Sequence, residues 1–258
     1  MSNLLLQFAF RKTYDQIPEK FDQWRPRYCD ELFAAVIEYT KLEDGKAALE
    51  IGPGTGQATE PFLKTGCEYW AIELGENFTK FMKDKFSSYP RFHIMNGDFE
   101  TYDFGDQKFD LVYSAATIQW IPEKIGFPKV YDLLKSGGAL AMFMTLSDEK
   151  SGNEILYEKI EEAYRRYFRV ETKYNCKLDY GNAVNYGFVD FHYLDWKRTR
   201  ILTADEYVEY LVSTQVEHIT LQEPYRSRFL NAVRDAVLDA GGRIMIHDTI
   251  ALYLTRKP

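Results

Sequence analysis

The sequence has few cysteines and no leader-like start. Cys29, Cys67 and Cys176 are far apart and odd in number, so they form neither a disulfide framework nor a C-x-x-C metal pair. Residues 1–10 are apolar, but they have no basic leader and no small-residue cleavage site, and they are too short to span a membrane. These absences predict a soluble, cytoplasmic protein without a metal site or a membrane partner.

Positive charge is also scarce. Thirty-two Lys and Arg residues stand against 39 Asp and Glu residues, which gives a net charge of −7. A nucleic-acid-binding protein usually carries a basic footprint, and the short basic groups at 165–169 and 197–200 are interpreted as solvated faces. We therefore expect no nucleic-acid partner.

Short strand patterns alternate with helical patterns through the first half of the chain. The predicted strands are 47–51, 69–73, 92–95, 109–114 and 139–146, the last after a turn at Gly137 and Gly138; the predicted helices are 28–40, from 55 or 57 to 64, 76–86 and 127–134. This alternation predicts a parallel sheet with helices on both faces.

The second half has a different pattern. It predicts helices at 153–168 and 224–240, a strand at 188–202, a capping box of Thr203 with Glu206, and a final strand at 243–255, while 174–186 has no clear pattern. The predicted fold is α/β, with a seven-stranded doubly wound sheet, mostly parallel with an antiparallel last strand, and a helical cap.

The sequence has no linker rich in Pro, Gly or Ser and no internal repeat, so a single domain over 1–258 is predicted. Its expected parts are a helical N-terminal segment (1–44), a ligand-binding core (45–146), a cap that faces the substrate (147–240) and a final strand (241–258).

A glycine-rich turn follows the first strand: Gly52, Pro53, Gly54, Thr55 and Gly56. Ligands of open α/β sheets bind beyond the carboxyl ends of strands, where glycine lets the backbone approach them. A dinucleotide fingerprint would need Gly at position 57, where Gln57 stands. Glu50 lies at the strand end, two residues before Gly52, and suits the positive amino or sulfonium group of S-adenosylmethionine (SAM) better than a pyrophosphate.

The ends of the next strands also carry polar groups. Glu73, followed by Leu74, is placed to accept hydrogen bonds from both ribose hydroxyls of an adenosine. Asp98 is a candidate acceptor for the adenine amine, and Phe99 for stacking on its ring.

The fourth strand ends at Ser114 and leads to Gln119 and Trp120, where the reacting methyl group should face its acceptor. Gln119 offers hydrogen-bond donors and an acceptor, and Trp120 offers a π face to a sulfonium.

These motifs together resemble the class I SAM-dependent methyltransferases of the type 11/12 kind, which have a Rossmann-like fold. The resemblance covers about residues 45–145 and rests on LEIGPGTG (49–56), AIE (71–73), GD (97–98), FDLV (109–112) and LKSGGAL (134–140). FDQWRPRY (21–28) and AATIQW (115–120) are similar to a subgroup that includes trans-aconitate methyltransferases.

The resemblance implies SAM as cofactor, S-adenosylhomocysteine (SAH) as product and a small-molecule acceptor. It implies that Glu50 and the glycine turn hold the methionine part, Glu73 the ribose, and Asp98 with Phe99 the adenine. Since the N-terminal segment often closes over SAM in such enzymes, Tyr14 and Arg25 are candidate contacts. For a carboxylate acceptor, Arg25, Arg198 or Arg200 is a candidate clamp. No general base is assigned.

Three alternatives remain open at this point. One is a SAM-binding protein without turnover, and another is a methyltransferase that acts on a protein or a nucleic acid. The third is an NAD-dependent oxidoreductase, which would share Glu73 but would have no use for Glu50.

Overall fold

A computed structural model describes residues 10–170 and 177–258. The apolar start up to residue 9, Cys176 and the first three residues of the segment 174–186 lie outside this range. No helix within the described residues combines the length and the apolar composition needed to cross a membrane.

The chain forms a seven-stranded sheet in the order β3-β2-β1-β4-β5-β7-β6. The strands are β1 (Ala47–Ile51), β2 (Glu68–Glu73), β3 (Phe92–Asn96), β4 (Phe109–Ala115), β5 (Leu134–Asp148), β6 (Val189–Thr203) and β7 (Arg243–Arg256). β1 to β5 pair in parallel, with Glu50 opposite Ala71 on β2 and Tyr113 on β4.

The last strand, β7, is antiparallel to its neighbours β5 and β6. Gly137 at the start of β5 bonds to Lys257, just past the end of β7, and Ser147 at the end of β5 bonds to Asp248. Thr255 bonds to Val189 at the start of β6, and Lys197, later in β6, bonds to Thr249. The predicted fold class, a mostly parallel sheet with an antiparallel addition at one edge, is confirmed.

Helices connect the strands. They are α1 (Pro18–Trp24), α2 (Asp30–Thr40), α3 (Thr59–Leu63), α4 (Glu76–Lys85), α5 (Glu123–Leu133), α6 (Glu154–Tyr167), α7 (Ala204–Thr214), α8 (Val216–Thr220) and α9 (Tyr225–Asp239), with short 3₁₀ turns η1 (Tyr14–Gln16), η2 (Ile118–Trp120) and η3 (Tyr180–Tyr186).

Three local predictions need correction. The helix after the glycine turn begins only at Thr59, because Gly54 and Gly56 have positive φ, which is incompatible with a right-handed helix. The helix expected from residue 127 begins at Glu123. The turn expected at Gly137 and Gly138 is part of β5, where backbone hydrogen bonds with Lys257 hold it.

The described residues divide into two compact units. We call 26–145, 177–196 and 250–258 the glycine-loop unit, and 10–25, 146–170 and 197–249 the helical unit. The glycine-loop unit has two apolar cores, around Phe62 and Phe143 and around Leu49 and Phe127. The core of the helical unit contains Tyr207 and Phe229. The predicted role of 147–240 as a substrate cap stays a prediction.

Candidate cofactor-binding site

The glycine turn after β1 depends on backbone conformations that only glycine adopts easily. Gly52, Gly54 and Gly56 have φ of 65°, 58° and 81°, in the left-handed region. A Cβ on Gly52 would overlap the side chain of Thr117, whose Oγ1 donates to the carbonyl of Gly52 at 3.0 Å. The turn therefore packs directly against the end of β4.

The residues between these glycines are buried. The carbonyl of Pro53 accepts from Gly56 N at 2.9 Å. The carbonyl of Thr55 accepts from Lys85 Nζ at 2.9 Å, and its hydroxyl accepts from Gln57.

Glu73 joins the ends of three strands. Its Oε2 accepts from Gly54 N at 2.9 Å, and its Oε1 accepts from Gly75 N at 2.8 Å. Its backbone carbonyl accepts from Gly97 N at 2.9 Å and from the amide of Asn96. The carboxylate is 6% exposed and holds the glycine turn against β2. Leu74 lies beside it, half-buried.

Glu50 is wholly buried. Its Oε2 accepts from Thr59 Oγ1 at 2.6 Å and from the Tyr69 hydroxyl at 2.5 Å. Its Oε1 is buried and has no hydrogen-bond partner among the described residues. Burial raises the pKa of Glu50, while the hydroxyls of Thr59, Tyr69 and Tyr113 act to lower it.

Asp98 follows β3 and forms a tight local turn. Its Oδ1 accepts from Glu100 N at 3.0 Å, and its backbone carbonyl accepts from Tyr102 N at 2.8 Å. The Phe99 ring is only 4% exposed and packs 6.1 Å from the ring of Phe104. This ring is mainly part of the core, so the predicted stacking on adenine stays a prediction.

Lys129 supports the Asp98 segment from α5. Its Nζ donates to the Tyr102 carbonyl at 2.6 Å and lies 5.2 Å from the Phe99 ring centre. Burial lowers the pKa of Lys129. No local sequence pattern points to this residue, because it lies about thirty positions away from the loop that it holds.

The segment after β4 has a strained start. Ala116 has a φ of 57°, which is uncommon for a residue with a Cβ. Ser114 is buried, and its hydroxyl accepts from Ile118 N at 2.8 Å. Gln119 donates from Nε2 to the Ala116 carbonyl at 3.0 Å, and its Oε1 is buried without a hydrogen-bond partner in the described part of the chain. Trp120 is half-buried in η2.

The remaining predicted residues belong to the helical unit. The Tyr14 hydroxyl donates to the Thr214 carbonyl at 3.1 Å, and burial raises the pKa of Tyr14 to about 12. The Arg25 guanidinium lies 5.5 Å from the Phe21 ring centre. Arg198 and Arg200 pair with the buried Asp248 at 2.9 and 2.6 Å. Both guanidiniums thus bind a carboxylate of the chain itself, and their roles toward an acceptor stay predictions.

The histidines do not point to a general base. His218 is buried, its Nε2 is 2.7 Å from the Tyr164 hydroxyl, and burial lowers its pKa to about 3, so its ring is neutral. His93, His192 and His247 bond to Glu68, Asp190 and Thr199. In the ranges that the structure describes, no group of three or more His, Cys, Asp or Glu side chains is placed to hold a metal ion.

A match to a known protein family covers the segment that contains most of these candidate residues. Residues 49–142 match the sequence profile of a family described as "Methyltransferase domain". This part of the chain is therefore similar to a methyltransferase domain. Members of this family use SAM, and the match includes Glu50, the glycine turn, Glu73, Asp98 and Gln119.

Curated proteins that are similar to this chain are named for different acceptors. The chain is 30% identical over 131 residues to ribosomal RNA small subunit methyltransferase A of Hahella chejuensis, covering 51% of this chain and 47% of that protein. It is 27% identical over 151 residues to the malonyl-[acyl-carrier protein] O-methyltransferase of a Marinomonas species, covering 57% and 55%. The chain therefore spans about half the length of these relatives.

A solved structure matches a larger part of this chain than these relatives do. Phosphoethanolamine N-methyltransferase 2 of Haemonchus contortus, solved with phosphomonomethylethanolamine and SAH, aligns over 96% of this chain and 60% of that chain. The TM-score is 0.54 and the sequence identity is 16%. At this identity the match shows a common fold.

Proposed function

We propose that the chain is a class I SAM-dependent methyltransferase that transfers the methyl group to an oxygen or nitrogen atom of a small-molecule acceptor. The observation that carries the proposal is the hydrogen-bonded junction of four strand ends. Glu73 joins the glycine turn to β2 and β3, and Thr117 joins the same turn to β4. The junction lies at the carboxyl ends of parallel strands, where ligands of such sheets bind.

The hydrogen-bond acceptors at this junction suit SAM. Glu50 Oε1 is buried and has no hydrogen-bond partner among the described residues, so it is a candidate acceptor for a cationic group. Glu73, whose two oxygens accept from Gly54 N and Gly75 N, is the candidate acceptor for the ribose hydroxyls. Asp98 is the candidate acceptor for the adenine amine.

SAM, when bound, supplies a methyl group already activated by the sulfonium for in-line displacement. The residues of the chain therefore mainly have to align donor and acceptor, and alignment of this kind lowers a barrier by roughly 7–11 kcal/mol. Gln119 and Trp120, which follow β4, are the candidates for this part of the site. A carboxylate acceptor needs no base, whereas a hydroxyl or amine acceptor must release a proton.

The first acceptors to test are small carboxylic acids, on two grounds. Residues 21–28 and 115–120 resemble trans-aconitate methyltransferases, and one curated relative is a malonyl-[acyl-carrier protein] O-methyltransferase. An RNA acceptor is the second candidate, because another relative acts on ribosomal RNA; the net charge of −7 disfavours it.

The proposal is tested by transfer of label from SAM carrying a radioactive methyl group. The full chain is incubated with separate pools of small carboxylic acids, amines, acyl-carrier proteins and ribosomal RNA. We expect label in a small acid or amine together with SAH formation. Label in RNA alone would contradict the small-molecule assignment, and tight SAM binding without transfer to any pool would favour a binding protein without turnover.

A further inference from the structure

Three hydroxyl groups surround the Glu50 carboxylate in the glycine-loop unit. Thr59 and Tyr69 donate to Glu50 Oε2 at 2.6 and 2.5 Å. The Tyr69 hydroxyl also bonds to that of Tyr113, which in turn lies 3.4 Å from the Ala58 carbonyl. We call Thr59, Tyr69 and Tyr113 the hydroxyl triad.

The strand register places the two tyrosines of the triad on the same face of the sheet as Glu50. Tyr113 on β4 is directly opposite Glu50, and Tyr69 on β2 is opposite Ala48, two residues before it. Since side chains alternate between faces along a strand, these three side chains project to one side. Thr59 reaches the same carboxylate from the start of α3.

The surroundings of the triad are apolar and buried. Tyr69 and Tyr113 are wholly buried, in the core that contains Phe62 and Phe143. Phe143 stacks on Tyr113 with a centroid distance of 5.7 Å, and Phe62 lies 4.6 Å from Tyr113. An ionised carboxylate in such a place is costly unless it is hydrogen-bonded or paired.

The hydrogen bonds are unevenly distributed over the carboxylate. The donations from Thr59 and Tyr69 fall on Oε2, while the buried Oε1 has no partner among the described residues. Donors on one oxygen stabilise the negative charge and fix the side chain while leaving the other oxygen as an acceptor. Oε1 is thereby left as a buried acceptor suited to a cation.

We propose that Thr59, Tyr69 and Tyr113 are positioning residues that keep Glu50 an oriented carboxylate for the positively charged methionine part of SAM. The inference rests on the proposed function, because it takes SAM as the ligand. It assigns to the triad a role in affinity rather than in the methyl-transfer step.

The inference predicts a pH-dependent defect. Burial raises the pKa of Glu50 and the three hydroxyls oppose the rise, with no other titratable group among its causes. The titratable groups that face Glu50 are Tyr69 from β2 and Tyr113 from β4, and both have a pKa raised well above 10.0, mainly by burial. Both phenols therefore remain donors, and loss of one lets Glu50 take up a proton at a higher pH.

The test is calorimetric titration of the full chain with SAM at about pH 6 and about pH 9, for the wild type, Tyr69→Phe and Thr59→Val. Loss of the Tyr69 hydroxyl should raise the pKa of Glu50. At a pH below that pKa, a rise by one lowers the ionised fraction of Glu50 up to about tenfold. We therefore expect Tyr69→Phe to bind SAM about 10-fold more weakly than the wild type at the lower pH. At the higher pH the difference should shrink to about 2-fold. Comparison with the wild type at each pH removes the titration of SAM itself.

A matched control is Tyr207→Phe in the helical unit. The Tyr207 hydroxyl donates to Glu149 Oε2 at 2.6 Å, so this variant also loses a phenol–carboxylate bond. It should bind SAM as the wild type does at both pH values. Thr59→Val provides a second route if Tyr69→Phe fails to fold, and thermal melting checks that each variant is folded.

The outcomes separate the two proposals. Equal weakening of Tyr69→Phe at both pH values, or wild-type affinity in both triad variants, overturns the inference and leaves the proposed function standing. A wild-type chain that does not bind SAM at either pH overturns the proposed function itself.

Discussion

At the scale of single residues, three buried carboxylates are stabilised by three different kinds of donor. Glu50 accepts from hydroxyls, Glu73 from the backbone N–H groups of two glycines, and Asp248 from two guanidiniums. The donors differ with the surroundings: Glu50 lies in an apolar core, Glu73 beside a turn, and Asp248 on a strand next to β6. Arginine pairing is expected to contribute to stability, whereas Glu50 Oε1, which has no hydrogen-bond partner among the described residues, remains an acceptor for a ligand.

The first prediction concerns Asp248. Burial raises its pKa, but hydrogen bonds from Arg200 and Ser147 outweigh this, and the pKa lies below its ordinary value. Asp248→Asn should lower the free energy of unfolding by about 2–3 kcal/mol at neutral pH, with allowance for the partial exposure of both arginines. A carboxyl with a depressed folded-state pKa stabilises above its unfolded-state pKa, and this stability is lost as the pH falls.

Urea unfolding at neutral pH and at about pH 3 checks this, with Asp239→Asn as the control. Asp239 pairs with Lys159 at the surface, 3.1 Å apart, and its loss should change stability little. The Asp248 effect should shrink in acid. An effect that is the same at both pH values, or no larger than that of the control, would contradict the account.

At the scale of elements, those that depend on local sequence signals could be predicted, whereas those that depend on long-range contacts could not. The first five strands and the helix α4 could be predicted because apolar runs alternate with turn residues at regular spacing. The 3₁₀ turn η3 could not, because it depends on bonds from Asn182 and Tyr186 to Glu123, about sixty residues away. The start of β5 was missed for a similar reason: its partner, Lys257, lies at the other end of the chain.

The candidate site divides in the same way. Glu50, the glycines, Glu73 and Asp98 could be singled out as candidates because each lies at, or just after, the end of a recognisable strand. Tyr69 and Tyr113 were missed, although both occupy strand positions that share a face with Glu50. Once the strand order is known, the alternation of side chains along each strand places both tyrosines beside Glu50. From the sequence alone, however, an aromatic residue in a strand is ordinarily interpreted as core packing.

The capping box of α7 provides the prediction at this scale. Glu206 N donates to Thr203 Oγ1 at 3.3 Å, and Thr203 N donates to Glu206 Oε2 at 2.8 Å, as the sequence predicted. Thr203→Ala should cost about 1 kcal/mol of unfolding free energy, measured by urea denaturation. Thr199→Ala, at an exposed position on β6, should cost clearly less. Equal losses would show that the cap contributes nothing specific.

At the scale of the whole molecule, the central claim is that the chain binds SAM at the junction of the strand ends after β1, β2 and β3. The claim combines a domain match over 49–142, a confirmed fold and a junction built by Glu73. The alternative with a different cofactor on the same fold is an NAD-dependent enzyme, which would also use Glu73. The two differ in what they require of Glu50 and of the residues around Asp98.

The most direct measurement is calorimetric titration of the full chain with SAM and with NAD, for the wild type, Asp98→Ala and Asp103→Ala. Asp103 is a matched control, because its Oδ1 accepts from Gly105 N two residues on, just as that of Asp98 accepts from Glu100 N. We predict that SAM binds and NAD does not, that Asp98→Ala weakens SAM binding about 10-fold, and that Asp103→Ala does not. Binding of NAD without SAM, or equal SAM affinity in all three proteins, would contradict the account.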